Sequence, residues 1–440
     1  MVIDLAAIGF LAIGGFLAMI LLFRIPVLIA LILVPVAVCL AGGFGSQIGV
    51  YAIAGLRTVA PVAAMIMFAI LYFGLMFDAG LFDPMVNHLV KLVRDDPLRL
   101  CIVTAVLPML VAFDGDGATT FLISVTALRP VHQRLDVRPQ ILPAIIALSA
   151  GVMNMLPWGG PTARVMAVLD SDFEAVFVPL VPSMLAGIGW VLFAATVIGI
   201  RERRRLAVVG PAQAAEQDRS PRAAAVSAGG LFWFNLCLTA ILVLLLFQGL
   251  YAKVLGWPEI PPALLFMLAF AIALPVNRRS GKAQEQQLTR HAGSVVVVTS
   301  MILAAGIFAG ILNGTGAIAA AAQTVALAID TGLASSMTTL VALSGMPLSL
   351  VFTPDAYYFG VLPVFAQAAS VVGVDPVAIG RAALLGQMTT GFPLSPLTAS
   401  TFILIGLADV TLRDHQRFVF GWAFGTTATM TVVARLTGAI

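Results

Sequence analysis

Long apolar stretches alternate with short polar breaks along this chain of 440 residues. The longest apolar runs lie near residues 5–23, 26–42, 176–200, 229–250, 262–276, 294–312 and 417–437. Several of them approach the ~20 residues that a helix needs to cross the hydrocarbon core of a bilayer. The residue-by-residue alternation of a membrane β-strand is absent. The pattern therefore predicts an all-α protein with many membrane-spanning helices.

Four polar segments rich in glycine and proline interrupt the apolar stretches, two in each half of the chain. These segments are Phe113–Thr120, Met155–Arg164, Thr353–Tyr358 and Gly391–Ser400. Irregular polar backbone at membrane depth persists only where it is buried in protein or lines a cavity. Corresponding breaks in two halves mark the midplane binding site of secondary transporters. We therefore predict two re-entrant hairpins, with tips at the first and third segments, and two discontinuous helices at the other two.

The two halves also share residues at a nearly constant spacing. The matched pairs are Gly80 and Gly316, Pro157 and Pro393, and Thr162 and Thr398, all 236 residues apart, and Asp116 and Asp355, 239 apart. This spacing predicts two inverted repeats, at 1–200 and 229–440, joined by a polar linker at 201–228.

Polar residues are concentrated in the later part of each repeat. We therefore expect scaffold helices at about 1–73 and 229–293, and moving transport elements at about 74–200 and 294–440.

The charge distribution predicts the orientation. Only 10% of the residues are charged and 60% are hydrophobic, which excludes a soluble domain. Of the 24 basic residues, 19 fall into a few clusters that a single topology places on one side of the membrane. The positive-inside rule makes that side cytoplasmic, so we expect the 201–228 linker inside and both termini outside. The first apolar run lacks a basic leader, so we expect no cleaved signal peptide. We also expect no nucleic-acid partner.

Asp114 and Asp116 lie at the first hairpin tip. A charged group within the bilayer costs about 2.5–3.5 kcal/mol on insertion scales. Two neighbouring carboxylates are tolerable there if they bind a cation such as Mg²⁺ or Ca²⁺, or share a proton. The structural alternative is that Asp116 caps the outgoing helix, assisted by Thr119 and Thr120.

Further coupling candidates lie in both halves. Asp355 follows a proline at the second tip, where it could bind a proton or simply cap the helix. Asp78, Asn313 and Thr315 lie near glycine breaks and could complete a cation site. The alternative for these three is ordinary polar contact between helices.

The helix breaks favour an anion. The candidates in the first break are Asn154, Gly159, Gly160, Thr162 and Arg164, and those in the second are Ser395, Thr398 and Ser400. Free amides at the start of a half-helix point at an anion and the helix dipole assists them. Arg164 could add a bidentate contact to a carboxylate. Alternatively, Arg164 extends to the membrane surface or pairs with an aspartate in the core.

The sequence offers no catalytic machinery. No histidine is paired with a serine or cysteine nucleophile, and the HExxH and GxSxG motifs are absent. The three cysteines have no spacing that suggests a zinc site or a disulfide framework. We therefore expect a protein that is not an enzyme; an intramembrane enzyme is the alternative from another class.

The motifs resemble those of the citrate–divalent-metal:proton symporter family (CitMHS). The resemblance lies in Phe113–Ile123, Met153–Arg164, Pro354–Pro363 and Leu394–Thr401. It implies an ion-transporter-superfamily fold, a homodimer with an elevator mechanism, and a bacterial inner-membrane location. It also implies proton-coupled symport of citrate complexed with Mg²⁺, Ca²⁺ or a similar metal, without a tightly bound cofactor. Asp114 and Asp116 would then contact the metal of the cargo.

One alternative stays open within the transporter class. A sodium-coupled carrier of di- or tricarboxylates, or a gluconate-type permease, would share the repeats and the breaks. The wider superfamily carries Ser-Asn-Thr at its hairpin tips and couples to sodium, whereas this chain carries carboxylates there.

Overall fold

The computed structural model describes residues 4–114, 117–209, 229–248, 256, 258–327, 334, 336–387 and 389–440. Within these ranges the chain is helical, without β-strands. The first half contains α1 (Leu5–Leu21), α2 (Val27–Ala41), α3 (Ile48–Asp78), α4 (Asp83–Leu92), α5 (Pro97–Val111), α6 (Gly117–Arg134), α7 (Ile141–Met153), α8 (Gly160–Leu169), α9 (Phe173–Val176) and α10 (Val181–Val209). Most of the predicted 201–228 linker lies outside the described residues.

The second half contains α11 (Gly230–Leu246), α12 (Pro262–Asn277), α13 (Gly281–Gly314), α14 (Ala317–Ala326), α15 (Met337–Leu348), α16 (Leu362–Val371), α17 (Pro376–Gly386), α18 (Ala399–Ala408) and α19 (Leu412–Leu436). A π-helix, Ala356–Val361, leads directly into α16.

Three stretches of the described chain are long and apolar enough to cross a membrane. These are Gly45–Asp78, Phe173–Val208 and Gly281–Gly314. Many other apolar helices have only 10–17 residues. A helix of 12 residues rises about 18 Å, which is short of the roughly 30 Å hydrocarbon core, so such helices suit hairpin arms and broken spans.

The same backbone signals recur at matching places in the two halves. Gly80 and Gly316, which follow α3 and α13, have the same positive φ of 74°. Asp170 and Asp409 end α8 and α18 in the left-handed region, with φ of 49° and 59°. The order of elements is therefore consistent with two repeats.

Helices α3 and α13 form a close antiparallel pair. Gly55 lies against Gly306 and Gly310, and a Cβ atom added at Gly55 would overlap the carbonyl oxygen of Gly306. Near the opposite end of α3, Gly74 lies against the His291 ring. Small residues allow two helix backbones to approach in this way within a membrane.

The first predicted hairpin begins and ends on one side of the molecule. Arg134, at the end of α6, lies 2.5 Å from Asp95, which precedes α5. Near this base, Arg129 donates to the carbonyl oxygen of Leu407 at 2.6 Å, which joins the hairpin to the end of α18. Helices α5 and α6 therefore enter and leave on the same side, as predicted for a re-entrant hairpin.

Three of the basic clusters meet on this side. The buried Glu202 carboxylate of α10 accepts from Arg138 at 2.5 Å and from Arg205 at 3.0 Å. Arg203, also on α10, lies 3.5 Å from Asp96 at the start of α5. The one-sided distribution of charge predicted from sequence thus holds for these clusters.

The two ends of the described chain lie on the other side. Gly9 of α1 lies against Ala317 of α14, which follows the far end of α13. Arg381 donates to the carbonyl oxygens of Ala439 at 2.5 Å and Ala175 at 2.8 Å. Which of the two sides faces the cytoplasm stays a prediction from charge.

The α3–α13 contact makes a stability prediction. Gly55→Ala should lower the melting temperature in detergent, since overpacking at this site costs about 1–3 kcal/mol. Gly49→Ala is the matched control in the same helix, because an added Cβ there meets nothing within 4 Å. Thermal unfolding of both variants checks the prediction, and equal melting temperatures would contradict it.

Candidate functional site

The first hairpin contacts both helix breaks, which are Met155–Arg164 (the first break) and Gly391–Ser400 (the second break). The Trp158 indole, in the first break, donates to the carbonyl oxygen of Phe113 at the hairpin tip, with a distance of 2.9 Å. Phe121, at the start of α6, stacks on Phe392 of the second break with a centroid distance of 5.9 Å and an interplanar angle of 12°. The tip is thus held between the two breaks.

The second hairpin contacts the second break, and the two breaks contact each other. The Ser395 hydroxyl donates to the carbonyl oxygen of Ser349, just after α15, at 2.6 Å. Gly151 of α7 lies so close to Thr389 that an added Cβ would overlap the Thr389 carbonyl oxygen. The four segments singled out in the sequence therefore converge on one region.

An ion pair joins the first break to the second hairpin. Nε and Nη2 of Arg164 both lie 2.7 Å from Oδ1 of Asp355. Both side chains are largely buried, with 13% and 14% of their surface exposed. The guanidinium group also lies 6.0 Å from the centroid of the Phe359 ring. The structure thus adopts the alternative in which Arg164 pairs with an aspartate of the core.

The first break turns between α7 and α8. Asn154 caps the C-terminal end of α7, and α8 begins at Gly160 after Gly159. A side chain at Gly159 would overlap the Asn154 carbonyl oxygen, so the tight turn requires glycine. The buried Thr162 hydroxyl donates to the Met155 carbonyl oxygen at 2.8 Å and so closes the turn.

A threonine also closes the second break, but it is Thr401 and not Thr398, which the sequence spacing pairs with Thr162. Thr401, the third residue of α18, donates to the Phe392 carbonyl oxygen at 2.9 Å, as Thr162 does from the third position of α8. Thr398 instead precedes α18 and bonds the same carbonyl oxygen. The structural counterpart of Thr162 is therefore Thr401, because α18 begins six residues after Pro393, whereas α8 begins three residues after Pro157.

The remaining candidates lie in the first turns of α6 and α18 and at the first hairpin tip. Ser400 is the second residue of α18 and is half-buried, as is Thr119 in the first turn of α6. Thr120 is fully buried, and its hydroxyl has no hydrogen-bond partner among the described residues. Asp116 lies outside the described residues, and Asp114 is described only by its backbone, at the end of a short 3₁₀ turn.

The structure separates Asp78 from the other coupling candidates. Its carboxylate hydrogen-bonds His291 at 2.9 Å and accepts from Gln287 at 2.7 Å, and it lies 3.0 Å from Arg290. Asn313 lies 22 residues beyond His291 along α13, or about 33 Å in a helix.

The predicted cation site of Asp78, Asn313 and Thr315 is therefore wrong in its geometry. Helices α3 and α13 are antiparallel, so equivalent residues at their C-terminal ends lie on opposite sides. The Thr315 hydroxyl bonds the Ile311 carbonyl oxygen of its own helix at 3.0 Å. Asn313 lines a cavity of about 210 Å³ together with Asp170 and Phe359.

Sequence reasoning missed one buried polar residue of the second break. Gln387 ends α17 as Asn154 ends α7, and its side chain is fully buried. Its position at the end of the equivalent half-helix was the signal that could have identified it. Among the described residues, no group of three or more His, Cys, Asp or Glu side chains could hold a metal ion.

Comparison with known proteins identifies the family. The family model described as Citrate transporter, CitMHS, matches residues 4–386. The chain belongs to the citrate transporter family. As a member of this family it is a transporter and not an enzyme, and its many apolar helices make it a multi-pass membrane protein.

Three relatives from Bacillus subtilis (strain 168) match this chain over 99% of its length and 99% of theirs. One is a "Citrate transporter", 44% identical over 436 residues, and another is a "Mg(2+)/citrate complex secondary transporter", 41% identical over 441 residues. The third, "Uncharacterized transporter YraO", is 37% identical over 453 residues.

A solved structure shows the same fold. The YdaH transporter of Alcanivorax borkumensis matches with a TM-score of 0.64 over 91% of this chain and 90% of its own, at 17% identity. The predicted all-α, ion-transporter-like fold is thus confirmed.

The closure of the first break makes a second prediction. Thr162→Val should lower the melting temperature, because it leaves the buried Met155 carbonyl oxygen without its partner, at a cost of about 1–3 kcal/mol. Thr324→Val is the control, since that hydroxyl bonds the Ala320 carbonyl oxygen on an exposed helix face. An unchanged melting temperature for Thr162→Val would show that the hydroxyl does not hold the break.

Proposed function

We propose that this transporter carries a complex of citrate with Mg²⁺ or Ca²⁺ and couples its movement to protons. The names of two relatives that match over 99% of both chains support citrate and a Mg²⁺–citrate complex as cargo. The observation that carries the proposal is the Arg164–Asp355 pair, buried where the two hairpins and the two breaks converge.

The breaks supply the anion-binding half of the site. The amides of Gly160 and Thr162 in α8, and of Ala399 and Ser400 in α18, lie in the first turn, where no intrahelical acceptor is available, and the helix dipoles favour a carboxylate. Around them lie the proposed cargo-binding residues: Asn154, Gly159, Gly160, Arg164, Thr119, Thr120, Ser395, Thr398 and Ser400. Thr162 belongs to the same set. The hydroxyl protons of Thr162, Ser395 and Thr398 are already donated to backbone carbonyl oxygens, so each would offer the cargo a hydroxyl lone pair rather than a proton.

Arg164 and Asp355 link cargo binding to protonation. A cargo carboxylate that binds Arg164 displaces Asp355, which is then a buried carboxylate without its counterion. Such a charge is unstable in a low-dielectric environment, so Asp355 takes up a proton. The proton and the cargo therefore bind together and are released together.

The groups that face Asp355 are consistent with this exchange. The neighbouring α8 carries Arg164 as its one charged residue, and the π-helix after Asp355 contributes Tyr357 and Tyr358, both buried. Helix α1, which packs Phe16 against Gly360 of the π-helix, has no charged residue within its bounds. Arg164 is thus the one cation of these elements available to balance Asp355.

The first hairpin tip is proposed to contact the metal of the cargo. The Phe113 carbonyl oxygen, one residue before Asp114, is fixed by Trp158 of the first break. In the sequence, Asp114 and Asp116 follow Phe113 in the predicted tip, and carboxylate oxygens are the ligands that Mg²⁺ and Ca²⁺ prefer. One divalent ion cancels two of the three negative charges of citrate, which leaves a charge that a single arginine can balance.

We propose the elevator division with both of its boundaries moved. Helix α13 is unbroken from Gly281 to Gly314 and packs along α3, so the predicted boundary at 293/294 would cut through a rigid pair. We place the boundaries at Gly80 and Gly316 instead, where the backbone turns with positive φ. The homodimer, the bacterial inner membrane and the outside termini remain proposals, supported by the family and the charge distribution.

Uptake of labelled citrate into proteoliposomes tests the function. With an inward proton gradient and no sodium, uptake should require both the gradient and Mg²⁺ or Ca²⁺. Sodium, added without a proton gradient, is the control condition. Uptake of free citrate that occurs only with sodium would favour the sodium-coupled carrier and remove the metal role from Asp114 and Asp116.

The ion pair makes a separate prediction. Arg164→Gln and Asp355→Asn should each abolish uptake, and each should destabilise the protein by roughly 3–5 kcal/mol because it leaves a buried charge unpaired. The double variant should regain most of the melting temperature but no proton-coupled uptake. Arg134→Gln is the control, because its pair with Asp95 is exposed and worth about 0–1 kcal/mol. Coupled uptake by the double variant would contradict the exchange.

A further inference from the structure

Three glutamines are buried in the described part of the chain, and one of them differs from the others. Gln248 both donates to and accepts from the backbone of Ile260. Gln287 donates to Asp78 at 2.7 Å and accepts from Arg278 at 3.0 Å. Gln387 is more buried than either, at 0% exposed, yet neither Nε2 nor Oε1 has a partner among the described residues.

An unpartnered carboxamide in a protein interior is unfavourable. The group offers two donor hydrogens and an oxygen with two lone pairs, and burial removes the water that would otherwise bind them. Most buried polar groups in native proteins have at least one partner, so an exception requires a ligand or a water molecule.

The surrounding contacts fix where this carboxamide lies. Gln387 is the residue at which α17 ends and the chain becomes extended, with φ of −72° and ψ of 136°. The Tyr358 hydroxyl of the second hairpin donates to the Gln387 carbonyl oxygen at 2.9 Å. Gly345 of the same hairpin lies against the Gln387 backbone nitrogen. The residue is therefore held rigidly at the junction of the second break and the second hairpin.

We propose that Gln387 binds the cargo, with its Nε2 group donating hydrogen bonds to a carboxylate of the tricarboxylate. This inference rests on the proposed function. Gln387 holds the position in the second repeat that Asn154 holds in the first, so each half-helix ends in a carboxamide at the convergence of the breaks. A neutral donor suits the second break, which lacks an arginine, because it adds no charge to the empty carrier.

Gln387→Met removes both amide atoms while keeping nearly the same volume. The KM for Mg²⁺–citrate uptake should rise on the order of 10- to 100-fold, the loss expected for hydrogen bonds to a charged group. Without cargo, the melting temperature should stay constant or rise, because an unsatisfied buried group is gone. The rise in melting temperature that Mg²⁺–citrate causes in the wild type should shrink in parallel.

Gln287→Met is the matched control. It removes the partner of Asp78 and Arg278, so it should lower the melting temperature but leave KM within about twofold. Gln387→Asn provides a second variant, which keeps the carboxamide one methylene short and should raise KM without loss of folding.

The outcomes separate this inference from the function on which it rests. If Gln387→Met keeps the wild-type KM and the cargo-induced rise in melting temperature, the inference is overturned and the carboxamide binds water instead. If the wild type shows no rise with Mg²⁺–citrate, the citrate proposal fails and the inference fails with it.

Discussion

Backbone amides and carbonyls that leave helical geometry inside a membrane have no water to bind, so they must find partners within the protein. The two hairpins and the two breaks of this chain meet that requirement by hydrogen-bonding to one another. Trp158 donates to the tip of the first hairpin, and Ser395 donates to the Ser349 carbonyl oxygen of the second hairpin. Thr162 and Thr401 close the two turns from within. The convergence that satisfies the backbone also creates the region in which a polar cargo could be bound.

Close approach of helices is the second condition for this arrangement. Gly55 and Gly306 bring α3 and α13 together, and Gly151 brings the first break against Thr389 of the second. These contacts have different consequences. The α3–α13 contact continues along two long unbroken helices and makes a rigid pair, whereas the contact at Gly151 joins segments that each end within a few residues.

The two buried aspartates, Asp78 and Asp355, have different numbers of partners. Asp78 is held by Gln287, Arg290 and His291, a network that binds α3 to α13. Asp355 has Arg164 as its ionic partner, and that partner belongs to the other half of the chain. A single cross-repeat pair can be exchanged for a cargo carboxylate at the cost of one contact, which a network of several donors does not allow.

Local features of the chain were enough to predict the class of fold and the segments of the site. Apolar run lengths, basic clusters and paired Gly/Pro breaks are local properties, and they were sufficient to predict helices, hairpins and the convergence of four polar segments. Which residues of the two halves contact each other depends on long-range packing. The antiparallel packing of α3 and α13 placed Asp78 far from Asn313, although spacing along the chain made them equivalent. A difference of three residues between the matched proline and the start of the following helix made Thr401 the counterpart of Thr162. That the Gln387 side chain has no partner in the described part of the chain could not be predicted from sequence, because whether a buried amide is satisfied depends on every neighbour that the fold brings to it.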